Sequence, residues 1–571
     1  MRLALLQVNA VLGDPVRNGQ TLEAGYREAV ARGAELVLTP ELAVVGYLAE
    51  DRLWETGLRR AVEAESRRLA ALTGEVPLVL GTFGPAPTGR LFNELWWCQG
   101  GAVRTVARKR LLADYDVFDE ARYFEPGDAA APLVAFQGHR VGLTVCEDLW
   151  GDASLVAGGL NYACDPVAEL ASAGATLLLN ASASPGHLGS FVPDGRRPRW
   201  ARPAKHTQRR GLLQAHATRH GLPLAYASRV GAESWHLFDG GSGLVLPDGR
   251  WQDAGAPFLE GVVLVDTEVP GQPWPEDPPE AQWLRQALGM GLRDNLAKQG
   301  LEGVVIGLSG GIDSAVVGAM AAEALGPKRV LGVALPTRFT SRESVDLARI
   351  QAEHLGIPFR VVDAEAPFQG FEASLRAILP ERTFGLTDEN LQSRSRGSLL
   401  MALTSEPAIH ECLGTRRVAV LNTGNKSECA TGYFTLYGDG IGAFGILGDT
   451  LKARVFALAR ELAPAVPQGV IDRKPTAELR PDQTDEASLI PYRQLDAILG
   501  AFVEAQREAE SLADDLGELL EGEDLIQARA ALPRILRLVR SAEFKRRQLP
   551  FALKVSPWAF GRGRRIPLTS V

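Results

Sequence analysis

The chain has 571 residues, 61 basic and 69 acidic side chains and a formal net charge of −8. Hydrophobic residues at 46% and charged residues at 23% are ordinary globular values, which excludes a largely disordered chain. No apolar run approaches the roughly 18–20 residues that span a bilayer, and the N-terminal MRLALLQVNAVLGD lacks a cleavable signal layout. The acidic balance argues against nucleic acid as a partner, so the expectation is a soluble, cytoplasmic protein that binds neither nucleic acid nor membrane. Five cysteines (Cys98, Cys146, Cys164, Cys412, Cys429) form no CxxC pair, so neither a disulfide framework nor a zinc site is expected. Only nine of the 61 basic residues are lysine and 52 are arginine. A lysine here therefore points to a place where a compact, deprotonatable ammonium is needed and a planar guanidinium is not suitable.

In chain order, the first 265 residues alternate short apolar runs with amphipathic stretches: RLALLQV (2–8), ELVLTPE (35–41), PLVLGTF (77–83), VGLTVCE (141–147), ATLLLNAS (175–182) and PLAYASRVG (223–231). Helical patterns run from Arg17 to Arg32 and from Lys205 to His220, so this half is read as a layered α/β fold. Residues 186–204 are rich in Pro, Gly and Arg and read as an inserted loop. VPGQPWPEDPPEAQ (269–282) has five prolines in fourteen residues and marks the domain boundary, giving domains at 1–265 and 283–571 with a linker at 266–282. A helix over about 283–299 then leads to the strand VVIGLS, a Gly-rich turn and a helix from Ser314 to about Leu325. RVLGVALP, a helix around 342–355 and FRVVDA repeat the unit, which reads as a doubly wound parallel sheet. Residues 495–547 read as almost wholly helical.

Three separated segments of the first half carry chemistry. Cys146 ends the strand VGLTV, a position from which a nucleophile projects off a rigid platform while the next turn offers backbone N–H donors. A lone buried cysteine is more often inert core, but Glu41 in TPEL and Lys109 in RKRLL also fall at strand ends. TPEL, RKRLL and VCEDLW in that order resemble the nitrilase/amidase superfamily and its Glu–Lys–Cys triad. The resemblance covers about residues 1–265 and implies an α-β-β-α sandwich. It makes Glu41 the general base, Cys146 the acyl-accepting nucleophile and Lys109 the cation that stabilises thiolate and oxyanion. Glu120, in FDEARYF, is either a second active-site carboxylate or a loop ion pair.

In the second half, Ser309-Gly310-Gly311-Ile312-Asp313-Ser314 lies between a strand and a helix. Two glycines let backbone N–H groups form an anion nest, the helix N-terminus adds its positive dipole end, and the serine hydroxyls can donate to phosphate. The Walker pattern is absent, which disfavours a P-loop kinase or ATPase. SGGIDS resembles the pyrophosphate loop of the ATP pyrophosphatase superfamily, an adenine nucleotide alpha hydrolase-like fold. VALPTRFTSRESVDLA (333–348), ENLQSRSRG (389–397), the segment from Asn422 to Arg460 beginning NTGNKSE, TAELRPDQTDEASLIPY (476–492) and EFKRRQLP (543–550) extend the likeness over 283–571 to the NAD synthetases. The resemblance implies an ATP site at Gly307, Leu308, Ser309, Gly310, Gly311, Ile312, Asp313, Ser314 and Thr423. It implies Mg2+ on Asp313 and Glu428, deamido-NAD on Asn390, Glu428 and Lys545, and phosphate neutralisation by Lys426 and Lys452.

Joined to such a domain, the first half resembles the glutaminase part of the glutamine-dependent NAD synthetases, with Tyr115 and Ser184 at family positions for glutamine. The family's next lysine falls on Ser190 here; the insertion at 186–204 makes Lys205 its replacement. The implied reaction releases ammonia from L-glutamine and carries it through a water-poor tunnel to deamido-NAD activated by ATP. The family assembles as homo-oligomers with the synthetase site at a subunit interface, so that Lys545 would serve a neighbour. Two alternatives stand beside this reading. One is an ammonia-driven synthetase whose first domain is a degenerate or regulatory glutamine-binding module. The other is a GMP- or asparagine-synthetase-type enzyme, which TGNKSE and YGD fit poorly.

Overall fold

Leu3 and Leu5 alternate with Ala4 and Leu6 along the first strand, and all four are fully buried. Successive side chains of a strand point to opposite faces, so both faces of this strand are covered. The computed structural model describes residues 1–155, 162–195, 197–252, 255–474, 476, 478–480 and 489–569. Residues 477 and 481–488 of the motif at 476–492 lie outside the described residues. The chain divides into two units, Met1–Gly186 with Lys205–Asp277, and His187–Ala204 with Pro278–Val571.

The first unit holds two six-stranded sheets. One runs, in spatial order, Gly261–Asp266, Arg2–Gln7, Leu36–Leu38, Leu78–Pro85, Leu91–Gln99, Ala102–Arg108; the other Trp251–Gln252, Gly243–Val245, Leu224–Ser228, Leu177–Ser182, His139–Val145, Val134–Phe136. Leu3, Leu5, Leu38 and Val79 of the first sheet share one core with Val141, Leu143, Leu179 and Ala225 of the second. The outer face of the first sheet packs Ala4, Leu6 and Leu80 under Leu22, Tyr26, Val62 and Leu69 of the helices Pro15–Ala31 and Thr56–Ala71. The outer face of the second packs Leu178 and Tyr226 under Val167, Leu170, Leu212 and Ala217 of Pro166–Ser172 and Lys205–His220. The layers are therefore α-β-β-α, as the resemblance to the nitrilase/amidase superfamily implied.

The proline-rich stretch is not a single connector. Trp274 stacks on Trp251 with ring centroids 4.1 Å apart, and Asp277 accepts a hydrogen bond from Thr207, so the chain up to Asp277 is held on the first unit. Pro279 caps the helix Glu280–Lys298 of the second. Residues 187–204 are likewise not a free loop. Their backbone is bonded at Leu188 N to Val555 O (2.9 Å), at Gly189 O by Arg454 (2.7 Å) and at Phe191 N to Glu504 (2.7 Å), all within the second unit. Phe191, Val192 and Trp200 add side chains to the helical core around Leu495, Ile498, Leu516 and Leu532.

The second unit is built on a five-stranded parallel sheet in the order Phe359–Val361, Val330–Ala334, Gly303–Gly307, Val418–Asn422, Phe444–Gly445. The order reverses at Gly303–Gly307, and ligands of such sheets bind beyond the strand C-termini at that point. There the chain enters SGGIDS and the helix Ile312–Leu325. Among the described residues no helix is long and apolar enough to cross a membrane.

Gly310 sits at φ +76°, and a Cβ on it would lie 2.5 Å from the Ser344 carbonyl oxygen; one on Gly311 would meet only the Ser309 hydroxyl, at 3.2 Å. Gly310→Ala should therefore destabilise the chain by about 1–3 kcal/mol, and Gly311→Ala by less. Equal shifts in the urea midpoint for the two variants would contradict this account.

Candidate functional site

In the first unit, Cys146 follows the strand His139–Val145 and opens the turn Cys146–Trp150 at φ +41°, a left-handed conformation that a non-glycine residue rarely takes. Asp148 holds it there. Its Oδ2 accepts Val145 N at 2.9 Å, and its Oδ1 accepts Arg110 N and Leu111 N, each at 3.0 Å. One carboxylate thus ties the loop that carries Lys109 to the strand that carries the cysteine. Burial pushes the Asp148 carboxyl up to about 6 against the pull of these three N–H groups.

Lys109 is 1% exposed, and its Nζ donates to Glu41 Oε1 and to Glu120 Oε1, both at 2.7 Å. Glu41 also accepts Asn93 Nδ2 (2.8 Å) on Oε1 and Ala183 N (3.1 Å) on Oε2. Glu120 accepts the Tyr47 hydroxyl (2.5 Å) and Ala113 N (2.9 Å), which makes it a buried partner of the lysine and not a loop ion pair. Burial works against the Lys109 ammonium, but the Glu120 and Glu41 charges outweigh it and hold its pKa well above the ordinary lysine value. Burial pushes the Cys146 thiol well up, Glu41 adds to this and Lys109 opposes it. The burial of the thiol and the opposing charges of Glu41 and Lys109 thus act together on the sulfur.

Tyr115 donates to Glu147 Oε1 and Oε2 at 3.2 and 3.1 Å, and Tyr162 donates to Oε1 at 2.8 Å. Burial pushes the Glu147 carboxyl up to about 7, with Lys205 and Lys109 pulling the other way. The Lys205 ammonium stands 3.8 Å from the Trp150 ring centroid. Ser184 is buried, its carbonyl bonded by Arg209 Nη1 at 3.0 Å, and lines with Trp150 and Tyr226 a hollow of about 10 Å³. Ser190 lies in the second unit, where its N–H bonds Arg202 O and its hydroxyl accepts Arg202 N.

The second unit holds a cavity of about 590 Å³ at the strand C-termini. It is lined by Gly307, Leu308, Ser309, Gly311, Ile312, Asp313, Ser314, Thr423, Asn390, Glu428, Lys452 and Lys545; Gly310 lies behind the loop against Ser344. Ser309 and Ser314 are bonded to one another (3.1 Å), Ser314 donates to Gly311 O (3.0 Å), and Gly311 caps the helix. The Asp313 carboxylate accepts Asn425 Nδ2 (3.0 Å) and the Lys452 ammonium, which also lies 3.6 Å from Glu428 Oε1. Asn425 caps the helix Lys426–Thr431 and fixes Glu428 in a reciprocal capping box. Asn390 accepts the Thr435 hydroxyl (2.9 Å). Lys545 donates to the Gly432 and Phe434 carbonyls (2.8 Å each) beside this cavity of its own chain, and burial holds its pKa below the ordinary lysine value.

Lys426 is placed elsewhere. Fully buried and outside the cavity lining, it donates to Glu504 Oε1 (2.8 Å), Ser556 Oγ (2.6 Å) and Trp558 O (2.9 Å) and lies 2.8 Å from Asp449 Oδ1. Its charge is committed to two internal carboxylates, so the expected phosphate role does not follow from its position. Residues that the sequence reading passed over also stand at these sites: Asn93, Tyr47, Asp148 and Glu147 in the first unit, Asn425 and Arg396 in the second. Only Glu147, Asp148, Asn425 and Arg396 had a signal, since each falls inside a quoted motif.

Residues 284–549 match the family model described as NAD synthase, and residues 2–270 the model described as carbon-nitrogen hydrolase. The chain is 35% identical to a glutamine-dependent NAD(+) synthetase of Synechocystis, covering 99% of this chain and 98% of that one. It is 37% identical to one of Xanthomonas campestris over 100% and 97%. The solved glutamine-dependent NAD+ synthetase of Acinetobacter baumannii, in complex with ADP, is similar at a TM-score of 0.72 and 30% identity, covering 99% and 98% of the two chains. That of Cytophaga hutchinsonii shares the fold at a TM-score of 0.80 and 19% identity.

The two lysines near the helix Lys426–Thr431 should separate on substitution. Lys426→Ala leaves Asp449 and Glu504 buried without their cation and should cost about 3–5 kcal/mol of stability. Lys452→Ala, at the cavity wall, should lower turnover with a smaller loss in the melting transition. The idea is lost if Lys426→Ala melts like the parent chain.

Proposed function

The chain belongs to the glutamine-dependent NAD(+) synthetase family, and we propose that each unit supplies one half of that reaction: the first hydrolyses L-glutamine, and the second uses the released ammonia to amidate deamido-NAD at the cost of ATP. The observation that carries this reading is one chain holding both the Glu41–Lys109–Cys146 set and the SGGIDS cavity.

In the first half-reaction Glu41 takes the Cys146 proton as the sulfur attacks the glutamine side-chain amide, and Lys109 stabilises the developing negative charge. Ammonia leaves, and water cleaves the glutamyl thioester to release glutamate. Free glutamine carries an ammonium and a carboxylate. Glu147, held by two tyrosine hydroxyls next to the nucleophile, suits the first; Lys205 suits the second, with Tyr115 and Ser184 beside them. The hollow at Ser184 is about the size of one water, so glutamine requires side chains there to shift. A complete, buried Glu–Lys–Cys set has no use in a purely regulatory glutamine-binding module, and that alternative is not favoured.

In the second half-reaction the nicotinate carboxylate of deamido-NAD attacks the α-phosphate of ATP, pyrophosphate leaves, and ammonia displaces AMP to give NAD. The SGGIDS loop binds the phosphates through backbone N–H groups and the Ser309 and Ser314 hydroxyls. Asn390 and Lys545 hold deamido-NAD, and Thr423 contacts ATP. Asp313 and Glu428 are two hard carboxylates that converge on one cation, a donor set that fits Mg2+, which takes one or two carboxylates and completes its shell with water and phosphate. They would hold it, and it would supply charge neutralisation on the ATP phosphates. Lys452, now shared by the same two carboxylates, is placed to turn its ammonium to phosphate.

A homo-oligomer that closes the synthetase site is supported by apolar side chains at its rim. Leu386, which lines the cavity one helical turn before Asn390, is 72% exposed, and Ile378, Leu379 and Phe384, which precede it in the chain, are exposed too.

Two experiments test these readings. Cys146→Ala should abolish NAD formation from glutamine while ammonium chloride still supports it in the same preparation; loss with both donors in a folded variant would refute the division of labour. With Glu147 titrating near 7, its carboxylate is charged above that pH, so KM for glutamine should rise as pH falls from about 8 to 6. Glu147→Gln should flatten that dependence and raise KM throughout, leaving the ammonium-driven rate unchanged.

A further inference from the structure

The helix Lys452–Glu461 starts without a cap of its own. The first N–H groups of a helix have no partner within it, and Leu451, the residue before this one, offers them no side-chain acceptor. Two side chains from other helices of the second unit take that place. Ser427, on Lys426–Thr431, accepts Lys452 N at its Oγ (3.0 Å), and Asp496, on Tyr492–Leu499, accepts Ala453 N at Oδ2 (2.7 Å). The Ser427 hydroxyl in turn donates to Asp496 Oδ1 (2.5 Å), so the two caps form one chain that ends on a carboxylate. Ser427 and Asp496 are both fully buried, and neither lines the cavity.

Burial pushes the Asp496 carboxyl up to about 7; the Ser427 hydroxyl, the Ala453 N–H and Lys452 oppose that rise, and Glu504 adds to it. A buried carboxylate needs donors on its oxygens, and here each oxygen takes a donor that orients the start of one helix. The residue at that start is Lys452, whose ammonium bonds Asp313 and stands 3.6 Å from Glu428 Oε1 at the cavity wall. The helix Tyr492–Leu499 meets Lys452 a second time, one turn before Asp496, where the Tyr492 ring centroid lies 5.0 Å from the ammonium. A lysine carries its charge on a flexible stem, so where the charge rests depends on where the backbone starts. Asp496 and Ser427 fix that start, and the Tyr492 ring bounds one side of the stem's swing.

We propose that Asp496, acting through Ser427, is a positioning residue of the synthetase reaction: it sets the first turn of the helix Lys452–Glu461 so that the Lys452 ammonium stands where charge develops on the attacked α-phosphate. The assignment rests on the reading of the second unit as an ATP-using synthetase and adds to it two residues that lie outside the cavity.

The test uses the full chain with ammonium as nitrogen donor, comparing the parent, Asp496→Asn, Lys452→Ala and the double variant. Asparagine keeps the size of aspartate but has one acceptor oxygen for the two donors. In Asp496→Asn kcat should fall about tenfold, short of the roughly hundredfold that a misplacement of about 1 Å costs, while KM for ATP and for deamido-NAD stays within about twofold. Added to Lys452→Ala, where there is no ammonium left to position, the same substitution should lower the rate by less than about twofold. Single-turnover AMP release with the protein in excess keeps these slow rates measurable. An equal loss in both backgrounds would make Asp496 a brace that acts independently of Lys452, a rise in KM at unchanged kcat would make it a binding determinant, and an unchanged kcat and KM would leave it no part in the reaction; each overturns the proposal. Should Asp496→Asn fail to fold, Ser427→Ala takes its place in the same comparison, and failure of both to fold would assign the pair to folding alone and overturn the proposal likewise. Absence of ammonium-driven NAD formation by the parent chain would instead overturn the functional reading beneath it.

Discussion

The structure turns on one recurring electrostatic device, a buried ammonium shared by two carboxylates. Lys109 is held between Glu41 and Glu120, Lys426 between Asp449 and Glu504, and Lys452 between Asp313 and Glu428. Removing any of these charges from water alone would cost several kcal/mol. The ammonium answers that cost with tetrahedral donors that reach acceptors on separate elements, so each cluster also fixes the relative position of the segments that supply it. Glu41 follows one strand, Lys109 another and Glu120 a loop turn; Asp313 opens a helix after the first strand of the parallel sheet, and Glu428 lies in the helix after the fourth strand in chain order. The sites are where these elements are forced to converge.

The same device serves different ends according to what else reaches it. Lys426 is held by Glu504, Asp449, Ser556 and the Trp558 carbonyl and lies outside the lining of the synthetase cavity; its cluster is a clamp that also engages Arg454, which in turn bonds the backbone of Gly189. Lys452 sits at a cavity wall, where a ligand's charge can compete for it. Lys109 lies between these cases. Both glutamates outweigh its burial and hold its pKa up, while burial also pushes the Cys146 thiol up. Under the proposed roles, Glu41 would take the sulfur's proton beside a cation whose charge two carboxylates secure, the arrangement that general base catalysis needs.

The layered fold, the parallel sheet and the strand-end positions of Glu41, Lys109, Cys146 and the SGGIDS loop were legible because periodicity and glycine placement are local properties. What was not legible was set by distant packing. Residues 187–204 read as a loop because their partners, Arg454, Glu504 and Val555, lie more than 260 residues away. Lys426 and Lys452 stand in the same family motif and are equally scarce in type, and nothing local distinguishes the one that faces the cavity. Arg396 escaped for the opposite reason: in a chain with 52 arginines the type carries no contrast. Asn93 and Tyr47 fall in unremarked strand and loop sequence and gain a role only through Glu41 and Glu120.

Lysine scarcity therefore marks something narrower than catalysis. Four of the nine lysines are buried, and the fourth, Lys554, donates to the Ser556 and Pro557 carbonyls and does not line the synthetase cavity. Burial alone does not exclude arginine, since Arg229 is fully buried on the Tyr47 and Ala10 carbonyls and Glu233. Nor does the number of carboxylates, since Arg454 meets both Glu280 and Glu504. It does so, however, through different nitrogens of its fork, Nε to one and Nη1 to the other. An ammonium draws both carboxylates to one point. Two carboxylates held that close share a proton, a cation or a metal far more readily than two spread across a guanidinium. At Glu41–Glu120 and at Asp313–Glu428 that convergence lies at the candidate sites; at Asp449–Glu504, outside the lining of the synthetase cavity, the same convergence braces the packing around it.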